Sequence, residues 1–169
     1  MSVLDVLTYP RATLRKKSGP VQKISEDVKS LIRDMKETMY ASGGIGLAAP
    51  QVGVSQRVIV VDVTPYEPEQ EPFALINPEI VSSDGDVESE EGCLSVPGLV
   101  ETIKRKERVT VRGLDEEGKE VEIEASGMLA ICLQHEIDHL DGLTVVERLS
   151  PVKRGMIKKK LVKAARNQT

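Results

Sequence analysis

Between residues 24 and 40, apolar side chains recur at the spacing that puts them on one face of a helix: Val28, Leu31, Ile32, Met35 and Met39. Lys29, Arg33, Asp34 and Lys36 fill the opposite face, Ser25 suits the cap, and Gly43-Gly44 ends the helix. The pattern then changes. Residues 57–63 form a run rich in β-branched side chains, which predicts a strand buried on both faces. A further strand is expected over 73–76, closed by Asn77-Pro78, with 79–83 continuing into an Asp/Gly-rich turn. Residues 108–112 and 120–124 alternate apolar and polar positions around Asp115-Glu116-Glu117-Gly118, the pattern of a β-hairpin with one wet face. From 128 to 140 a second helix is apolar nearly all round, so it is expected to run through the middle of the molecule until Asp141-Gly142 ends it. Ser150-Pro151 opens a last helix, with Ser as cap and Pro at the first position. Together these elements predict an α+β domain: antiparallel strands around one central helix, with helices at either end.

The 169 residues suit one domain, with no repeat and no Pro/Gly linker to divide 1–169 into two cores. With no Trp and one Phe, the core must be built mainly from Val, Ile, Leu and Met. A net charge of -4 argues against nucleic-acid binding as the main task of the surface. Arg11, Arg15, Lys16 and Lys17 interrupt any apolar run near the start, and no window has the length of a membrane span, so a cytoplasmic protein is expected. In a reducing compartment Cys93 and Cys132 are not expected to pair, which leaves each free to be a core residue, a ligand or a nucleophile.

The chain has two histidines, and both lie in His135-Glu136-Ile137-Asp138-His139. On a helix, positions i and i+4 stand one turn apart on the same face, so both imidazoles can reach one metal ion. Glu136 lies about 100° round the axis, flanking the metal where it can take a proton from water. The alternative is two buried histidines satisfied by hydrogen bonds, but an apolar central helix is an expensive place for His, His and Glu together. A catalytic site needs a third protein ligand. Cys132 shares the histidine face but lies on the order of 7 Å along the axis from a metal between them, too far for its side chain. Cys93, in Glu91-Gly92-Cys93-Leu94-Ser95, is the better candidate. Gly92 allows close backbone approach, and the Leu-Ser-Val-Pro run after it is expected to be extended. The alternative for Cys93 is an ordinary buried cysteine. A Cys/His/His set would leave one tetrahedral position for water and would suit zinc or ferrous iron.

Three stretches resemble the signature motifs of the peptide deformylases, in order and in separation. They are Gly44-Ile45-Gly46-Leu47-Ala48-Ala49-Pro50-Gln51, Glu91-Gly92-Cys93-Leu94-Ser95, and Gln134-His135-Glu136-Ile137-Asp138-His139. The resemblance covers nearly the whole chain. It implies that Cys93, His135 and His139 are ligands of one divalent metal, ferrous iron in the cell, with zinc, nickel or cobalt as substitutes. It implies removal of the formyl group from N-formylmethionyl nascent chains by attack of metal-bound water, with release of formate. Glu136 would then be the general base, later passing its proton to the leaving amine, and the Gln51 amide and Leu94 N–H would meet the oxyanion. Gly44 and Gly46 would share a loop with Gln51, with Gly46 offering backbone hydrogen bonds to the peptide. Ile45, Met128, Ile131 and Cys132 would line the methionine pocket, and Glu91 would pair with Arg105. After Gly142, where the family often carries an aromatic, this chain has Leu143-Thr144-Val145-Val146.

Seven basic residues and no acidic one lie from Lys153 to the end. In bacterial relatives such a helix contacts the ribosome, which makes the ribosome a candidate partner; a solvated helix face is the plainer reading. Two rival functions share parts of the pattern. A small zinc endopeptidase would need a further His or Glu ligand beyond the helix, and there is no third His. A peptide-binding or ribosome-associated protein with a structural metal would need a fourth ligand and would give Glu136 no task.

Overall fold

The computed structural model describes residues 2–166; Met1 and residues 167–169, the ends of the expected domain, lie outside the described residues. The described chain builds one antiparallel sheet whose five strands follow sequence order: β1 (Gly46–Ala48), β2 (Val58–Val61), β3 (Phe73–Cys93), β4 (Val96–Leu114) and β5 (Glu120–Ser126). Helix α1 (Glu26–Ala41) covers one face, packing Ile32, Met35 and Met39 with Val58 and Val60. Helix α2 (Gly127–Leu140) covers the other, packing Leu129, Leu133 and Ile137 with Ile59, Val61 and Val111. Successive β2 side chains therefore enter two different cores, which is the physical origin of the unbroken apolar run. The α+β architecture with a central helix is thus as expected. A third apolar cluster joins Val96 and Ile103 of the long hairpin to Val145, Val146 and Leu149, so the segment after Gly142 packs well without an aromatic. Helix α3 (Pro151–Arg166) follows, with Ile157 and Leu161 against this cluster.

Three sequence expectations fail in the same hairpin. The Asp84-Gly85-Asp86 segment is not a turn: Asp84 pairs with Arg108 and Asp86 with Lys106, and β3 runs on to Cys93. Gly85 takes a φ of +73° inside the ladder, a conformation open to glycine without strain. Asn77-Pro78 likewise does not close the strand. Asn77 adopts a φ of 53° at an irregularity in the β3–β4 register, and its side-chain amide bonds both backbone groups of Val21. The real reversal is Leu94-Ser95, expected to be extended, which links Cys93 directly to its partner Val96. The second hairpin is as expected, with Arg112 opposite Glu122 and a turn closed by Gly118 N–H donating to Asp115 O. Among the described residues no helix is long and apolar enough to cross a membrane.

Candidate active site

Along α2, every residue from Met128 to Leu140 is buried except Met128, Ile131 and His135, which are half-buried and fall on one stripe. That stripe faces a cavity of about 510 Å³ whose other walls come from residues 43–46, from Gln51 and from the β3–β4 hairpin. His135 and His139 stand one turn apart, with ring centroids 5.1 Å from each other. The hairpin turn delivers Cys93 to the same point: its Sγ lies 3.3 Å from His139 Nε2. The candidate donor atoms of Cys93, His135 and His139 all fall within 4.8 Å of one another, a cluster that one ion bound at about 2.0–2.3 Å from each could share. No fourth Cys, His, Asp or Glu joins the group among the described residues, which disfavours a closed structural site. Cys132 is outside it. Its Sγ lies 3.6 Å from Ile45 O, and the residue belongs to the core under α2, as the axial-rise argument required.

The supporting layer is more extensive than the sequence suggested. His135 Nδ1 is 2.9 Å from Glu91 Oε1, an arrangement that places the proton on Nδ1 and turns the Nε2 lone pair towards Cys93 and His139. The expected Glu91–Arg105 pair is present, buried and bidentate, at 2.8 and 2.7 Å. Arg105 also donates to Asp138 at 2.6 Å, and Asp138 in turn accepts from Arg148 at 2.9 and 2.5 Å. Asp138 and Arg148 were not anticipated. An acid inside an otherwise buried helix was the available signal for Asp138; Arg148, ten residues on, carried none. Burial alone would raise the Glu91 carboxyl, but its hydrogen bonds to Arg105 and His135 outweigh that and hold it at about 2. Glu136 is the opposite case. Burial raises it to about 7, offset only in part by His135 and Arg105. Its Oε1 is buried with no hydrogen-bond partner among the described residues, and Glu136 lines the cavity, so it brings a free acceptor to the site.

Gln51 lies in a short 3-10 turn, Ala49–Val52, with its side chain fully enclosed. Its carbonyl oxygen accepts from Ala48 N–H at 2.9 Å, which orients the amide nitrogen towards Ser95 Oγ at 3.1 Å and Cys93 Sγ at 3.6 Å. Gly44, Gly46 and Gln51 do not share a loop, as had been expected: Gly46 opens the edge strand β1, and Gln51 follows in the 3-10 turn. A side chain at Gly46 would be driven into the Glu136 carboxylate and would come within 2.8 Å of Cys132 Sγ, so glycine is required there. All the pocket residues named from the sequence, Gly44, Ile45, Gly46, Met128, Ile131 and Cys132, line the cavity, and so does Leu94. Sequence reasoning missed the rim, where Tyr66, Leu99 and Val100 reach the same cavity from two further segments.

The family model for polypeptide deformylases matches residues 3–155. The chain belongs to the polypeptide deformylase family. A peptide deformylase of Thermodesulfovibrio yellowstonii is 55% identical over 160 residues, covering 95% of this chain and 97% of the relative. One from Neisseria meningitidis is 53% identical over 163 residues, covering 96% of each. Among solved deformylase structures, that from Legionella pneumophila superposes with a TM-score of 0.89 at 50% identity, covering 99% of this chain and 98% of its own. The Ehrlichia chaffeensis deformylase in complex with actinonin gives 0.91 at 45% identity, covering 97% and 98%. Both rival functions considered from the sequence lose their footing against this family membership.

Proposed function

We propose that the chain is a metal-dependent hydrolase that removes the formyl group from the N-terminal formylmethionine of nascent polypeptides. The observation that carries this reading is the meeting, beside one cavity, of the Cys93/His135/His139 cluster with Glu136, whose buried Oε1 has no hydrogen-bond partner among the described residues. The three clustered side chains would hold one divalent cation. Two imidazoles and a thiolate suit ferrous iron, the ion proposed in the cell, and equally zinc, nickel or cobalt. Such a cation would supply the Lewis acidity that polarises a formyl carbonyl and acidifies water. Glu136, held near neutrality by burial, takes a proton from the attacking water and returns it to the leaving amine. The Gln51 amide and the Leu94 backbone N–H donate to the oxygen that gains charge as the formyl carbon becomes tetrahedral. Ile45, Met128, Ile131 and Cys132 enclose the methionine side chain, while Gly44 and Gly46 keep the strand edge bare enough for the peptide backbone to approach.

Residues 1–169 form one catalytic domain in this reading, working in the cytoplasm, and the basic face of α3 is a candidate contact with the ribosome. The test is release of formate from formyl-Met-Ala-Ser by anaerobically prepared, iron-loaded protein. Turnover by the parent, none by Glu136→Ala with metal retained, and loss of metal in Cys93→Ala is the expected pattern. Folded, metal-loaded parent protein that releases no formate would end the proposal.

A further inference from the structure

Arg148 ends a short 3-10 turn, Val145–Arg148, whose backbone is fixed from within. Thr144 Oγ1 accepts from Val146 N–H at 3.1 Å, and the Glu147 carboxylate accepts from Thr144 N–H at 2.9 Å. Val145 and Val146 are buried in the third apolar cluster, against the long hairpin. Leu143 N–H donates to Asp138 O at 2.9 Å, which ties the approach to the turn back onto α2. Arg148 is therefore presented to α2 from a backbone that does not drift.

Its guanidinium takes both oxygens of Asp138, with Nε donating to Oδ2 at 2.9 Å and Nη2 to Oδ1 at 2.5 Å. Arg105 Nη1 donates to the same Oδ2 at 2.6 Å, while Arg105 Nε and Nη2 hold the two oxygens of Glu91. Glu91 Oε1 then serves two donors, Arg105 Nη2 at 2.7 Å and His135 Nδ1 at 2.9 Å. Asp138, Arg105 and Glu91 are buried, whereas the Arg148 side chain is 43% exposed. Solvent screens the charge of such a group but not the fork geometry with which it grips a carboxylate. Arg105 is planar, with donors in fixed directions, so it serves both acids only while each keeps its orientation. Without Arg148, the Asp138 carboxylate is free to turn and compete with Glu91 for Arg105 Nη2. Glu91 then loses part of its anchor, and the Nδ1 proton of His135 loses a fixed acceptor.

We propose that Arg148 is a positioning residue for His135: by gripping Asp138 it keeps Arg105 on Glu91, and so slows the loss of a bound ion. The proposal rests on the reading of Cys93, His135 and His139 as metal ligands. Removing a group that orients a ligating histidine weakens metal binding by about 10–100-fold; Arg148 acts through three intervening side chains, so the lower end of that range applies. Charge alone would act with the opposite sign. Deleting Arg148 makes the surroundings more negative, which by itself holds a cation more tightly.

The experiment loads the full chain with zinc, adds excess chromogenic chelator and follows the first-order rate of zinc release. Arg148→Ala is expected to release zinc about tenfold faster than the parent. Arg148→Lys keeps the charge but cannot grip both oxygens, so it should release zinc nearly as fast as Arg148→Ala. Arg108→Ala, which breaks an exposed pair with Asp84, should keep the parent rate. With Glu91→Gln already in place, Arg148→Ala should add less than about twofold, because the route to His135 passes through that carboxylate. Unchanged or slower release from Arg148→Ala overturns the proposal, as does Arg148→Lys behaving like the parent. Equal acceleration in the Glu91→Gln background also overturns it, since the effect would then be general loosening. If Arg148→Ala does not fold, Arg148→Lys alone decides, by the same comparisons. Each of these results leaves the metal-ligand reading intact, whereas parent protein that holds no zinc overturns both.

Discussion

Replacing Gly46 by alanine tests the active-site geometry at its tightest point. The added methyl would stand 2.8 Å from Cys132 Sγ and 2.9 Å from Glu136 Cδ, and nearer still to one Glu136 oxygen. Carbon contacts become comfortable at about 3.5 Å, so strand and helix must separate, or Glu136 must swing, by roughly 0.7 Å or more. Glu136 and Cys132 are both buried, and β1 is tied to β2 through Gly46–Val61, Leu47–Val60 and Ala48–Ile59, so nothing nearby gives easily. Overpacking of this kind costs about 1–3 kcal/mol, which in a chain of this size lowers Tm by roughly 2–12 °C. The catalytic effect should be larger than the structural one. A general base displaced by about 1 Å loses on the order of 100-fold in rate. Formate release at saturating formyl-Met-Ala-Ser should therefore fall about 100-fold, while metal content stays at one ion per chain, because the three atoms nearest the methyl belong to Glu136 and Cys132 and none to Cys93, His135 or His139. Tm by calorimetry and metal by emission spectrometry complete the assay. A variant that keeps kcat within about threefold of the parent would refute the assignment of Glu136 as base or the closeness of β1 to it.

Arg105→Met leaves the Glu91 and Asp138 carboxylates inside the protein without the cation they share, and should cost about 3–5 kcal/mol in urea unfolding. A loss below about 1 kcal/mol would mean that Arg148 alone satisfies Asp138 and that Glu91 is more hydrated than its burial indicates. Tyr40 donates a 2.6 Å hydrogen bond to Asp62, and burial, followed by that bond and the nearby charge, raises its hydroxyl to about 12. A raised folded-state value contributes stability in full below about pH 10, lost as pH climbs towards 12. Parent protein should therefore lose more stability between pH 9 and 11.5 than Tyr40→Phe does, when both are unfolded with urea; parallel losses would contradict the bond's role.

The local periods of the chain were enough to place α1, β2, α2 and the second hairpin, because each of those patterns is set by what one element buries. The same period put His135, Glu136 and His139 in their relation, since i and i+4 on a helix fix a geometry before any other element is known. Excluding Cys132 as a ligand needed nothing more than the rise per residue. The matching of all three motifs to one family added the roles expected of Gln51 and Leu94 and reinforced Cys93, which its own surroundings had already singled out.

Other features were closed to local reading. Asp84-Gly85-Asp86 has the composition of a turn, yet Arg108 and Lys106, some twenty residues away, pair with it and hold it in the ladder. Leu94-Ser95 has no turn composition, yet it reverses the chain because the long strands on either side are already in register. The Glu67 cap on α2 joins residues 62 apart, and the Arg148–Asp138–Arg105–Glu91 chain joins β3, β4, α2 and the 3-10 turn Val145–Arg148. By itself, then, the sequence determined the elements whose pattern is local and the side chains that are candidates for the chemistry, since periodicity and helical spacing act over a few residues. The tertiary structure alone decided what surrounds that chemistry. Cross-strand pairing, capping by distant residues and the sharing of buried charges depend on which remote segments meet, and only the folded chain brings them together.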